Sequence, residues 1–255
     1  MGLFGFFNNQ GRAPNPVTLA TYELAAAEEI TRANRISQRW RAYHGQYPRP
    51  LRVRPGQPDD NIIVNYARVI VDMGVSFLFG ADLYFQIDEV RQTDAEAWLA
   101  KCWRANRQMT LLQKLALNGA IAGHAFIKIV PSQPFPRLVV LDPATVSVRW
   151  EPDDIERVTR YTIQYPALDP SGTPTVYRQV IEAAGDTWSV VEQRSTAETG
   201  WTTMSQTVWP YPWPPIVDCQ NLPCPNEYWG ISDLDDDILQ LNVSLNFVLS
   251  NIARI

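Results

Sequence analysis

The residues that could do chemistry fall into a few groups. Asp233, Asp235, Asp236 and Asp237 crowd one short stretch, and oxygen ligands of this kind suit magnesium or calcium, so a metal-dependent nuclease or hydrolase is one reading. Against it, neighbouring residues on a helix point in different directions, and an EF-hand loop needs a glycine and a distal glutamate that this stretch lacks. Helix-dipole compensation at an N-terminus accounts for the same carboxylates without an ion. His44 and His124 have no cysteine or carboxylate at ligand spacing and read as structural histidines. Trp201, Trp209 and Trp213, with Trp150 and Trp188, offer a platform for a glycan, peptide or base. Aromatics at strand spacing more often fill a core or a subunit contact.

The remaining charged feature is basic. Between Ile30 and Pro58 there is no acidic residue, while Arg32, Arg35, Arg39, Arg41, Arg49, Arg52 and Arg54 supply positive charge. Arg32, Arg35 and Arg39 share one helical face and, with Arg41, are the candidate subunit-interface residues. The alternative is a solvated face held by salt bridges within the chain. No Walker loop, no G-x-G-x-x-G and no G-x-S-x-G elbow occurs, which disfavours nucleotide and hydrolase chemistry. The three cysteines, Cys102, Cys219 and Cys224, are too few and too isolated for a disulfide framework or a zinc site. No cofactor is expected.

The elements that must position these residues follow from periodicity. With 255 residues, 45% of them apolar and 19% charged, the chain is long enough for one large core or two smaller ones. Residues 1–20 read as an apolar arm. A helix is expected over 21–43 and a second, buried helix from the caps Asp59, Asp60 and Asn61 to Phe79, stopped by Gly80. A strand is expected over 83–88. The capping box Thr93-Asp-Ala-Glu96 opens a third helix to Asn106, and Met109 to Ala122 forms a fourth, closed by Gly123. Beyond it the period changes to two over 124–130, 137–141, 145–150, 158–165, 176–183 and 187–193, with turn signals between them. This predicts an α+β fold, N-terminal helices followed by an antiparallel meander. The span Trp209-Pro-Tyr-Pro-Trp-Pro-Pro215 reads as a stiff connector. Ser232 is expected to cap a last helix whose first turns carry Asp233, Asp235 and Asp236. Its apolar run reaches Ile255, so that helix is expected to continue further.

The order of Arg39-Trp-Arg-Ala-Tyr-His-Gly45, Asn61-Ile-Ile-Val-Asn65, Trp103-Arg-Ala-Asn106, Gly119-Ala-Ile-Ala-Gly-His-Ala-Phe126 and Leu141-Asp-Pro143 resembles the N-terminal half of tailed-phage portal proteins, of the siphovirus type related to the SPP1 portal. Pro214-Pro-Ile-Val-Asp218, Asn221-Leu-Pro223, Pro225-Asn-Glu-Tyr-Trp-Gly230, Ser232-Asp-Leu234, Asn246 and Ser250-Asn-Ile252 extend the resemblance. It implies a structural subunit without catalytic activity, in a ring of usually twelve copies at one capsid vertex, through which double-stranded DNA enters and leaves. It also implies a wing region over 21–230 (helical 21–123, β-rich 124–210, proline-rich connector 209–230) and the start of a stem helix over 231–255. The implied partners are copies of the chain, the major capsid or scaffolding protein, and terminase and head-tail adaptors through regions outside this sequence. The implied location is the virion, after assembly in the host cytoplasm.

Charge divides unevenly. Residues 1–127 carry 14 Lys and Arg against 11 Asp and Glu, whereas residues 128–255 carry 8 against 16, which is +3 against −8. A conduit that gripped each phosphate would hold DNA instead of passing it. We therefore predict weak, sequence-independent association with duplex DNA, at or below the range of roughly 10⁻⁴–10⁻⁶ M typical of nonspecific binders at physiological salt. Anisotropy titrations of several labelled duplexes measure it, and nanomolar binding to one sequence would contradict it.

Overall fold

The computed structural model describes residues 16–254 except 54, 80, 82, 84, 88–92 and 197–199. The arm before residue 16, the stop at Gly80, Arg54 and Ile255 lie outside them. Of the strand expected over 83–88, Tyr84 and Asp88 also lie outside, and the described positions there are not in a strand. The chain is α+β as predicted, and it divides into two compact units that are discontinuous in sequence. One holds the described residues up to Asn34 with Thr145–Pro214; the other holds Arg35–Ala144 and Pro215–Ile255. Helix α1 (Pro16–Tyr43) contributes to both. It starts earlier than the periodicity suggests, which proline permits because the first N–H groups of a helix are unpaired anyway.

In the second unit, α2 (Tyr66–Leu78), α3 (Thr93–Ala105) and α4 (Met109–Ala122) precede a three-stranded antiparallel sheet of order β2-β1-β8. Its strands are β1 (His124–Val130), β2 (Arg137–Leu141) and β8 (Ile216–Gln220). The proline-rich connector thus delivers a strand, with β1 residue Ala125 opposite Cys219. Helix α5 (Asp236–Ala253) completes the unit. Ala42, Ala67, Val71, Ala120, Ile121 and Leu234 form its buried cluster, with Trp40, Tyr43 and Ile238 packed around it.

The other unit carries the meander. Strands β3 (Val146–Glu151), β4 (Asp154–Leu168), β5 (Pro174–Ala184), β6 (Thr187–Ser195) and β7 (Thr202–Trp209) pair in sequence order, all antiparallel. The expected single meander is therefore two sheets, because β1 and β2 pair with β8 instead of β3. Alternate residues Val148, Tyr161, Ile163, Ile181 and Trp188 are buried, as a sheet with one packed face requires. The β4–β5 turn is held by Asp169, whose carboxylate accepts from Ser171 N and Oγ at 2.8 and 2.6 Å and from Thr173 N at 2.8 Å. Those donors, the Ser171 hydroxyl first, hold the Asp169 carboxyl below its ordinary range. On β5, burial first and then the hydrogen bond to Glu192 push the Tyr177 hydroxyl far up.

Two glycines decide how α4 ends. Gly123, at φ +84°, is the left-handed C-cap and its N–H returns to Gly119 O at 2.7 Å. A Cβ there would sit 2.2 Å from Gly230 O, and one on Gly230 would sit 2.3 Å from Gly123 O. The backbones touch, so neither side tolerates a methyl group. Gly123→Ala and Gly230→Ala should each cost roughly 2–4 kcal/mol. The double variant should cost less than the sum, because the first methyl already separates the two backbones. Denaturant melts of the three variants measure this; wild-type stability in either single variant would contradict it.

Candidate functional site

The second helix does not begin at the expected caps. Residues 59–65 are not helical, and Asn65 is the cap, its side chain accepting from Arg68 N at 3.1 Å. Asn61 instead pins the chain to Leu51, accepting from Leu51 N at 2.8 Å and donating to Leu51 O at 2.9 Å. Asn61 also donates to Asp59, which holds that carboxyl below its ordinary range.

The backbone freed by this non-helical run finds its partners on α5. Ile62 N donates to Ser250 Oγ at 3.0 Å, Val64 N to Asn246 Oδ1 at 2.9 Å and Tyr66 N to Asn242 Oδ1 at 2.9 Å. In return Asn242 Nδ2 donates to Val64 O at 3.0 Å and Ser250 Oγ to Ile62 O at 3.2 Å. One rung further, Arg254 pairs with Asp60 and donates to Arg52 O at 3.1 Å. The Asp60 hydrogen bond, ahead of its charge, raises the Arg254 guanidinium further.

The geometry explains the spacing. Four residues of helix rise about 6 Å and two residues of extended chain about 6.6 Å, so side chains at 242, 246, 250 and 254 meet the chain at 66, 64, 62 and 60. The polar edge of α5 takes the place of a neighbouring strand. Asn242, Asn246 and Ser250 are nearly fully buried, and Asn246 Nδ2 has no partner. The signal was present in the sequence as Asn242, Asn246 and Ser250 at every fourth position, a pattern easily read as ordinary amphipathicity beside Gln240, Ser244 and Asn251.

Each expected site residue has a definite place. Ser232 is not the cap of α5, which starts at Asp236 with Asp235 before it. Ser232 is buried, its single hydroxyl proton shared between Ala120 O at 2.9 Å and Ile121 O at 2.8 Å, and it accepts from Leu234 N at 2.9 Å. It satisfies carbonyls that the end of α4 would otherwise leave open. Asp233 accepts from Asn221 Nδ2 at 2.8 Å, and Asp235 pairs with Arg39 at 2.8 Å. Asp236 and Asp237 alone occupy the first turn of α5. Among the described residues no group of three or more His, Cys, Asp or Glu is placed to hold a metal.

Of the arginines, Arg32 is bound to Glu29 at 2.8 Å and to Val146 O at 2.6 Å, and Arg39 lies against Asp235 with its side chain 12% exposed. Both are engaged within the chain. Arg35 and Arg41 are exposed. His124 is buried with Nε2 3.2 Å from Asp218 Oδ2, stacked on the rings of Phe126 and Tyr228, and its Nδ1 is buried without a hydrogen-bond partner. The tryptophans are likewise engaged: Trp209 Nε1 donates to Trp213 O at 2.9 Å, and Arg178 stacks on Trp201 at 3.8 Å.

The site thus defined is a scaffold, with buried polar side chains that hold backbone instead of presenting themselves to a substrate. The model of the family described as phage portal protein, SPP1 Gp6-like, matches residues 24–180, more than half of the chain. The chain belongs to this family of phage portal proteins. No curated protein matches it.

Asn242 serves two part-buried backbone groups and Asn246 one. Each group left unpaired costs about 1–3 kcal/mol, so Asn242→Ala should destabilise about twice as much as Asn246→Ala, and Arg254→Ala least. Denaturant unfolding gives the order, and amide hydrogen exchange at Tyr66 should rise only in the Asn242 variant. A larger loss for Asn246→Ala than for Asn242→Ala would contradict the ladder.

Proposed function

We propose that the chain is a subunit of a homo-oligomeric ring, of about twelve copies as in the portal family, set in the capsid vertex of the virion and assembled in the host cytoplasm. In this reading it is a structural conduit for double-stranded DNA during packaging and ejection, and not an enzyme. The observation that carries it is the portal-family match over residues 24–180. The net charge of −5 supports it, because an acidic wall lets DNA slide. So does the engagement of Asp233 and Asp235 by Asn221 and Arg39, which leaves the nuclease reading without a shared ligand set. No described helix is long and apolar enough to cross a membrane.

Within the ring, Arg35 and Arg41 face an acidic neighbour, either the next subunit or the capsid or scaffolding protein, since ring interfaces join unlike patches. Exposed pairs contribute only about 0–1 kcal/mol to folding, but a ring repeats the loss at every junction. Arg35→Glu combined with Arg41→Glu should lower the oligomeric fraction in sedimentation velocity at low salt while leaving the melting temperature unchanged. An unaltered oligomer distribution would make these arginines a solvated face and nothing more.

A further inference from the structure

Helix α2 was expected to be buried, and it is not. Only Ala67 and Val71 are buried, while Phe77 is 91% and Met73 68% exposed. The exposed apolar residues follow a rhythm. Tyr66, Ile70, Met73 and Phe77 step by four, three and four residues along α2. On α5, Leu241, Leu245, Val248 and Ile252 repeat the same steps, with Leu241 65% and Ile252 61% exposed and Leu245 half-buried. This is the spacing of a helix–helix seam, in which side chains of one helix enter the gaps of another. Each stripe spans about 16 Å of helix.

We infer that the α2 stripe of one copy packs against the α5 stripe of the next copy, an inference that rests on the ring reading above. Three observations choose a second copy as the occupant. The stripes match in length and rhythm, so each is a fitting partner for the other. Neither contains a charge, so apposing them sets no like charges together. The area is also appropriate. Full burial of one such side chain removes roughly 60–120 Å², so a junction of two half-exposed stripes buries on the order of 400 Å² of apolar surface. That is nearly half the apolar area of a standard interface, about 900 Å² in total, and suits the dry centre of a junction with a polar rim. Pairing α2 with α2, or α5 with α5, would close at two copies; a longer ring requires unlike surfaces to meet.

The test uses the full chain carrying Met73→Cys and Val248→Cys, singly and together, oxidised with copper–phenanthroline and digested for mass spectrometry, with the wild type as background for Cys219 and Cys224. The double variant should form intermolecular links between positions 73 and 248 in a ladder of dimers, trimers and larger species. Mixed single variants should stop at dimers. Phe77→Asp, which removes no intramolecular packing, should abolish the oligomer in sedimentation velocity without lowering the melting temperature. Oligomers that lack the 73–248 link, or links joining 73 to 73, would overturn the inference and leave the ring reading standing. A chain that never self-associates would overturn both.

Discussion

An extended segment at the edge of a core needs partners for its backbone, and at Ile62, Val64 and Tyr66 the run from Asp60 to Tyr66 finds them on a helix. Asn242, Asn246 and Ser250 supply donors and acceptors at the repeat an adjacent strand would use, and Arg254 closes the row on Asp60. The rest of the second unit depends on this match. Because Tyr66 is both the last rung and the first residue of α2, the depth of α5 along the extended run sets where α2 starts. At the other end of α5, Ser232 and Asp233 tie the approach to Ala120 and Ile121 at the close of α4. Gly123 and Gly230 let the same backbones touch. Asn242, Asn246 and Ser250 of α5 therefore face inward, and the apolar Leu241, Val248 and Ile252 are turned out to solvent.

That inversion reconciles the fold with the function. A monomeric enzyme would gain nothing from showing Phe77 and Leu241 to water, whereas a subunit that lives in an assembly requires such surface. The same economy governs the charges. Arg32 and Arg39 are engaged within their own chain through Glu29, Val146 O and Asp235, and of the four candidate interface arginines Arg35 and Arg41 are exposed. The carboxylates near α5 are split between Asn221, Arg39 and the helix dipole.

Strong local signals were legible in the sequence. The capping box at Thr93, the glycine at 123 and the turn residues between strands placed α3, α4 and β1 to β6 within a few residues of their observed bounds. What depended on distant partners was not legible. Asp59, Asp60 and Asn61 look like helix caps, yet the long-range ladder to α5 outweighs local propensity and delays α2 to Tyr66. Ser232 looks like a cap as well, and its hydroxyl is claimed by carbonyls more than a hundred residues earlier. Strand β8 was hidden because Pro214 and Pro215 resemble a linker, and β7 because its threonine-rich sequence lacks alternation. The buried reading of α2 failed for a simpler reason: apolar composition measures the need for a partner and does not say whether that partner belongs to the same chain.

The portal reading requires this chain to form a ring. Negative-stain electron microscopy of the purified protein tests it most directly. The account predicts class averages of closed rings with an open centre wide enough for duplex DNA, about 20 Å or more across as the grooves of B-form DNA require. Fields of compact particles without a central opening, at concentrations well above those of assembly, would contradict it.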